Sequence, residues 1–302
     1  YIVPVYVTDK GQYDVATISV RVTDVNDHTP EFRPGACYPL TVPENSDLAV
    51  IHTVTATDPD VGANGEITYS ITAGNIGNKF SIDLHTGELS ARPLDRETQP
   101  RYHLVITAQD RGAPSPLSGS CNVTVIVEDQ NDNDPRFIKP RYSATIPENV
   151  PLETIVLTVK AADADLGVNA KIVYSLANES QWLFRIDNRT GVITTAGLFD
   201  RERQDVYEFQ VVATDGGRYD ARSQKVPVQI TIGDVNDNKP VFTHYPFTAD
   251  VSPSNQRGHD ILRVTAVDND KGTNADIVYS FFNEPPSNKF RINPNTGVVT
   301  EF

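Results

Sequence analysis

The chain has 302 residues, 38% of them hydrophobic, which is enough for packed cores and too many for a disordered chain. Asp and Glu number 40 against 26 Lys plus Arg, a net charge of −14, so the basic face that grips a nucleic-acid backbone is missing. The two Cys are too few for a disulfide scaffold and lack zinc spacing, and no apolar run approaches the ~20 residues that cross a bilayer.

The opening, YIVPVYVTDKG with Asp9, reads as the middle of a folded domain and has no leader pattern. Ile18, Val20 and Val22 then alternate with polar residues, the period of a half-buried strand. DVNDH follows at Asp24. Next come PEN at Pro43 and ATDPDVGANGEITYS from Ala56, in which Ile67, Tyr69 and Ile71 alternate again. An HTG turn, LDRE from Leu94 and AQDRG around Asp110 lead to DQNDN at Asp129. The same elements then return in the same order. PEN recurs at Pro147, AADADLGVNAKIVYS starts at Ala161 with Ile172, Tyr174 and Leu176, and a turn ends at Gly191. FDRE from Phe199, ATDGG around Asp215 and DVNDN at Asp234 complete the second pass. Phe209, Val211 and Ala213 alternate, as do Val226, Val228, Ile230 and Ile232. A third copy, AVDNDKGTNADIVYS from Ala266, runs on to NTG.

Ala56, Ala161 and Ala266 are spaced by 105 residues, and so are Asp24, Asp129 and Asp234. A period of one small domain means tandem autonomous units, since solenoid units run only ~20–50 residues. The boundaries divide the chain into the end of a unit at 1–28, complete units at 29–133 and 134–238, and the start of a unit at 239–302. About seven short strands per unit, with no helical period, predict an all-β fold of two-sheet Greek-key sandwiches. Both ends fall inside a unit, so the chain reads as a fragment of a longer protein.

The recurring chemistry is carboxylate and amide. A single DxND is well explained as turn chemistry, because Asp and Asn side chains bond nearby backbone. Turn chemistry does not ask for Asp-x-Asp, Asp-Arg-Glu, Pro-Glu-Asn and a further Asp together. Calcium does, since it takes ~6–8 oxygen ligands from carboxylates and carbonyls. Magnesium prefers a smaller, water-rich octahedron, and zinc calls for His or Cys. The six His are scattered without ligand spacing. DPDVGANGEITY is not an EF-hand loop, because Thr68 and Tyr69 stand where its bidentate Glu belongs.

With PEN, DRE, DxNDN, DxDxGxN and the A-x-D motif in this order, the whole chain resembles the cadherin family. The resemblance implies tandem cadherin repeats in an elongated rod, with three calcium ions at each junction. For the junction near Asp132 it implies Glu44, Asp95 and Glu97 upstream and Asn131, Asp132, Gln130 and Asn133 in the linker. Downstream it implies Asp163, Asp165, Asp215 and Asn169, with Gln130, Asn133 and Asn169 acting through backbone oxygens. Seven of these side chains are carboxylates, close to the six positive charges of three calcium ions, and they repel when no ion is bound. Near Asp237 the implied set is Glu148, Asp200, Glu202, Asn236, Asp237, Asp268 and Asp270, with backbone oxygens of Val235, Asn238 and Asn274. Its last Asp would lie beyond the end of the sequence. Near Asp27 the set is Asn26, Asp27, Asp58, Asp60 and Asp110, with backbone oxygens of Val25, His28 and Asn64. His28 replaces the usual Asn, with little effect expected because only its backbone oxygen is used. In the last unit VSPSN around Ser252 and Pro253 carries no Glu, so the following linker should bind fewer ions and bend more.

Cys37 precedes the first strand of its unit and Cys121 begins the last. These strand starts share one end of a Greek-key sandwich, so a disulfide and two free buried thiols both stand as readings. Sequons at Asn122, Asn178 and Asn188 are candidate glycosylation sites, with Asn188 in a turn and Asn122 in a strand. The short adhesion cadherins dimerise through a Trp near the mature N-terminus, whereas Trp182 lies mid-repeat and is expected to pack in a core or loop.

No GxSxG, HExxH or P-loop is present, and the carboxylates repeat with the structural unit, so the chain reads as a non-enzyme without a small-molecule substrate. The resemblance implies calcium-dependent cell–cell adhesion on the extracellular side of the plasma membrane. The partner would be another cadherin ectodomain, the binding homophilic or heterophilic, and the membrane anchor outside this sequence. The alternatives are heterophilic planar-polarity signalling of the Fat and Dachsous kind, a structural spacer, and an accessory domain of a secreted enzyme.

Overall fold

A computed structural model describes residues 1–47, 49–177, 182–254, 256–282 and 289–301. The chain forms two compact units, Tyr1–Asp132 and Asn133–Phe302. Period-two sequence becomes strands throughout, and among the described residues the only helical segments are short 3-10 turns such as Gly62–Gly65 and Gly272–Ala275. Among the described residues no helix is long and apolar enough to cross a membrane.

The first unit opens with the hairpin Ile2–Asp9 and Gln12–Ser19. Ile18 in this hairpin and Val20 and Val22 just beyond it, expected to be half-buried, are exposed, and among the described residues the hairpin is a two-stranded sheet of its own. A sandwich follows. One sheet takes Leu40–Pro43, Ser118–Glu128, Arg101–Gln109 and Thr68–Ala73 in that order, and Leu40–Pro43 runs parallel to its neighbour. The other has His52–Thr53, Glu88–Ala91 and Phe80–Ile82, while Glu31–Phe32 and Ala56–Thr57 form a pair of their own. Glu31–Phe32 and Leu40–Pro43 thus pair with different neighbours, Ala56–Thr57 and Ser118–Glu128, within the two-sheet plan that the strand count predicts. Leu104 and Ile106 of one strand and Val123 and Val125 of its neighbour are fully buried, facing Leu89 and Val54 of the opposite sheet.

The second unit repeats the plan. Tyr142–Pro147, Ser223–Gly233, Val206–Thr214 and Val173–Ala177 form one sheet, and Ile155–Thr158, Val192–Thr195 and Phe184–Ile186 the other. Phe184, Ile193, Val211 and Ile230 make its solvent-free centre. Its last part contains Asp260–Arg263, Val298–Glu301 and Phe290–Ile292, paired as in the earlier sandwiches.

Two devices link the core to the acidic loops. The Tyr69, Tyr174 and Tyr279 hydroxyls accept the backbone N–H of Ala56, Ala161 and Ala266, two residues before each Asp-x-Asp. Each ring lies against the glycine of a Thr-Gly turn. Gly87 has φ +71°, and a Cβ there would stand 2.3 Å from the Val54 carbonyl oxygen. Only glycine fits that conformation and that approach.

The sulfur atoms of Cys37 and Cys121 are bonded, with Cα atoms 6.1 Å apart. Cys121 does not begin its strand as expected, because Ser118–Glu128 starts three residues earlier, and Cys37 sits between Glu31–Phe32 and Leu40–Pro43. Trp182 does not pack as expected either. It is 76% exposed.

Candidate metal centre

Each Asp-x-Asp begins with the same local turn. Asp58, Asp163 and Asp268 accept, through Oδ1, the backbone N–H of Asp60, Asp165 and Asp270 at 2.9–3.0 Å. Gly62, Gly167 and Gly272 then take φ of +64°, +59° and +60°, the left-handed conformation that lets the loop reverse. The last linker residue closes on the second Asp. Asn238 donates its amide to Asp270 Oδ1 at 2.8 Å, and Asn133 does the same to Asp165 at 2.8 Å. The side chain of His28, from which little effect is expected, makes contacts of its own. Its Nδ1 lies 2.6 Å from Asp60 Oδ1 and 2.8 Å from Asp27 Oδ1, so imidazole reproduces the asparagine contact. That hydrogen bond to Asp60, with the charges of Asp60 and Asp27, outweighs desolvation and raises the His28 pKa above its ordinary value. Burial pushes Asp60 the other way, but the His28 N–H groups outweigh it and hold its pKa below the usual range.

Asp110 and Asp215 are buried at the neighbouring strand ends. Asp110 accepts the backbone N–H groups of Gly112 and Leu117, and Asp215 those of Gly217 and Arg222. Asn26 donates its amide to Asp110 at 3.3 Å and to the Ser115 carbonyl at 3.1 Å. Asn131 is buried, whereas Asn236 is exposed.

On the upstream side, Glu44 and Glu148 are buried and tie the motif together. Glu44 accepts the backbone N–H of Arg96 at 2.8 Å and that of Gln130 at 2.9 Å. Glu148 accepts the equivalents from Arg201 at 2.9 Å and Val235 at 2.8 Å. Asp95 and Asp200 cap their own turns, taking the N–H of Thr98 and Arg203. Burial, together with Glu44, pushes the Glu97 pKa up, and burial with Glu148 does the same to Glu202.

Carboxylate and imidazole donor atoms therefore gather in clusters. Asp27, His28 and Asp60 form one, Glu44, Asp95 and Glu97 a second, and Glu148, Glu202 and Asp234 a third, each within 4.8 Å. Near Asp237, Asn149 donates to Asp237 at 3.0 Å, and Asp268 and Asp270 belong to the same unit. The set near Asp132 is divided between units. Glu44, Asp95, Glu97, Gln130, Asn131 and Asp132 belong to the first, and Asn133, Asp163, Asp165, Asn169 and Asp215 to the second.

The sequence reading missed the first linker Asp. Asp24 Oδ2 accepts the backbone N–H of Val61 and the amide of Asn64, and Asp234 accepts those of Lys271 and Asn274. It missed Asn45 and Asn149 beside the linker Asp, and the arginines of DRE. The repetition of all three residue types was the available signal.

The donor set fits a hard cation. Asp58, Asp163 and Asp270 each keep a buried Oδ2 with no hydrogen-bond partner, an arrangement that costs free energy unless a cation takes the lone pair.

The family profile described as "Cadherin domain" matches residues 38–128, 142–233 and 247–301. Protein dachsous of Drosophila melanogaster is 57% identical over 296 residues, 97% of this chain and 8% of the relative. Protocadherin Fat 4 of Homo sapiens is 39% identical over 305 residues, 99% of this chain and 6% of the relative. This chain thus spans less than a tenth of either. The crystal structure of mouse cadherin-23 EC22-24 matches with TM-score 0.76 and 32% identity, covering 91% of this chain and 88% of that one. The protocadherin gammaB7 EC3-6 cis-dimer structure matches with TM-score 0.84 and 30% identity over 97% of this chain and 74% of that one. With three matched domains laid over sandwiches of the same plan, the chain belongs to the cadherin family.

Proposed function

We propose that this chain is a calcium-stiffened segment of a long adhesion ectodomain, working on the extracellular side of the plasma membrane. The partnerless buried oxygens of Asp58, Asp163 and Asp270 carry this reading. Calcium would neutralise the clustered carboxylates and take those lone pairs, so each linker would resist bending far more when loaded than when empty. Extracellular modules of this kind bind at roughly 10⁻⁴–10⁻³ M, which keeps the sites filled outside cells. The repeats would run 29–133 and 134–238, with partial repeats at 1–28 and 239–302. The exposed Asn122 and Asn188 would carry glycans, while Asn178 lies outside the described residues.

The partner would be another cadherin ectodomain. We take contact between unlike long cadherins, of the Fat and Dachsous kind, ahead of contact between identical ones. Bead aggregation with the complete ectodomain tests both parts. Beads carrying this protein alone should stay dispersed, and mixing them with beads carrying a different long cadherin should give clumps in calcium and none in EDTA. Clumping of identical beads would make the adhesion homophilic, and clumping in EDTA would remove calcium from the mechanism.

A further inference from the structure

The middle residue of Asp-Arg-Glu is buried among the carboxylates of the cage. The side chains of Arg96 and Arg201 are only 9% and 11% exposed. Arg201 reaches three separate pieces of chain. It pairs with Glu202 of its own turn and with Asp234 of the linker, and its Nη2 donates to the backbone carbonyl of Asn269 at 2.8 Å. Asn269 is the middle residue of the next Asp-x-Asp loop. Arg96 repeats the upstream part in the first unit. It pairs with Glu97, and its Nε lies 2.6 Å from Asp129 Oδ1, a charge contact without a directed hydrogen bond.

A long cation would not be buried here for packing alone. Burial by itself would lower the Arg201 pKa, but Glu202, Asp234 and Glu148 outweigh it, so the guanidinium stays charged. Its planar fork suits simultaneous contact with a carboxylate and a carbonyl, which an ammonium cannot reproduce.

We propose that Arg201 is a positioning residue, a metal-independent strap that holds the Asp268–Asp270 loop beside the linker before calcium arrives. The strap spans the same elements that the ions join. An empty junction therefore keeps part of its loaded arrangement, and calcium meets carboxylates already gathered. Arg96 serves its own turn and linker in the same way.

Amide hydrogen exchange on this chain tests the strap, comparing wild type with Arg201→Met and Arg201→Lys in EDTA and in saturating calcium. In EDTA, amides of 234–238 and 268–271 should exchange roughly tenfold faster in Arg201→Met. Arg201→Lys should recover part of that protection, and the difference from wild type should shrink as calcium fills the site. Equal exchange of Arg201→Met and wild type in EDTA overturns the strap. So does equal acceleration with and without calcium, or lost protection in the core strand Val206–Thr214, since either would mean a role in folding the repeat. Arg201→Gln is the second variant if Arg201→Met does not fold, and it should loosen the same amides in EDTA. The inference rests on the calcium reading only for its loaded arm. If calcium leaves wild-type exchange unchanged, the calcium reading fails while the EDTA arm still judges the strap.

Discussion

Glu148 accepts the backbone N–H of Arg201 at 2.9 Å, and Glu44 stands in the same relation to Arg96 at 2.8 Å. Each glutamate also takes a linker N–H with its other oxygen, so one buried carboxylate fixes a strand end, the Asp-Arg-Glu turn and the linker. This is a folding role separate from any ligand role.

Glu44→Ala should accordingly destabilise the calcium-free first unit. It strands two backbone donors, and a buried unsatisfied polar group costs on the order of 1–3 kcal/mol. Urea unfolding in EDTA measures this directly. An unchanged midpoint would mean that Glu44 matters only as a metal ligand.

The strands and the acidic loops were readable because each writes a local rule. Period two gives Phe209, Val211 and Ala213 as inward residues, and all three are buried. What stayed hidden depends on distance in space. Asp234 sits inside a motif that the sequence displays, but its hold on Lys271 and Asn274 spans nearly forty residues of chain. Arg201 looks like a solvated charge until Asn269 is placed beside it. His28 looked inert because a backbone role was assigned to it, whereas its imidazole fills the place of an amide. Trp182 has no counterpart in the other repeats, so no periodic context could set its exposure.

The Cys37–Cys121 bond joins residues 84 apart. Closing a loop of that length restricts the unfolded chain, an effect of roughly 4.6 kcal/mol in the chain-entropy account. The double variant Cys37→Ala with Cys121→Ala should lower the unfolding free energy of the first unit by about 2–4 kcal/mol and leave the second unit unchanged. Calorimetry, with the two units resolved, separates these outcomes. Equal loss in both units would mean that the bond acts beyond its own sandwich.

Acid should stabilise the calcium-free protein and reduce what calcium adds. Burial and neighbouring carboxylates raise the pKa of Glu97 and Glu202, and the hydrogen bond to Asp60 raises that of His28. At these groups the folded chain binds protons more tightly than the unfolded chain, so their contribution is fully present below the unfolded pKa and lost as pH rises through the folded one. For His28 that loss begins above about 6.5, and for the glutamates above about 4.3. Without metal, the protein should therefore gain stability as pH falls from 7.5 toward 5. With calcium, the same protons compete with the cation, and the gain in melting temperature that calcium confers should shrink over the same range. Asp60, Asp187 and Asp234 have lowered pKa values, so their contribution is lost only under stronger acid, below about 3.9, and does not enter this window. Melting curves from pH 7.5 to 5, in a calcium-free buffer and in millimolar calcium, carry the test. A calcium-conferred gain in melting temperature that stays constant from pH 7.5 to 5 would mean that these side chains do not share their protons' place with the metal.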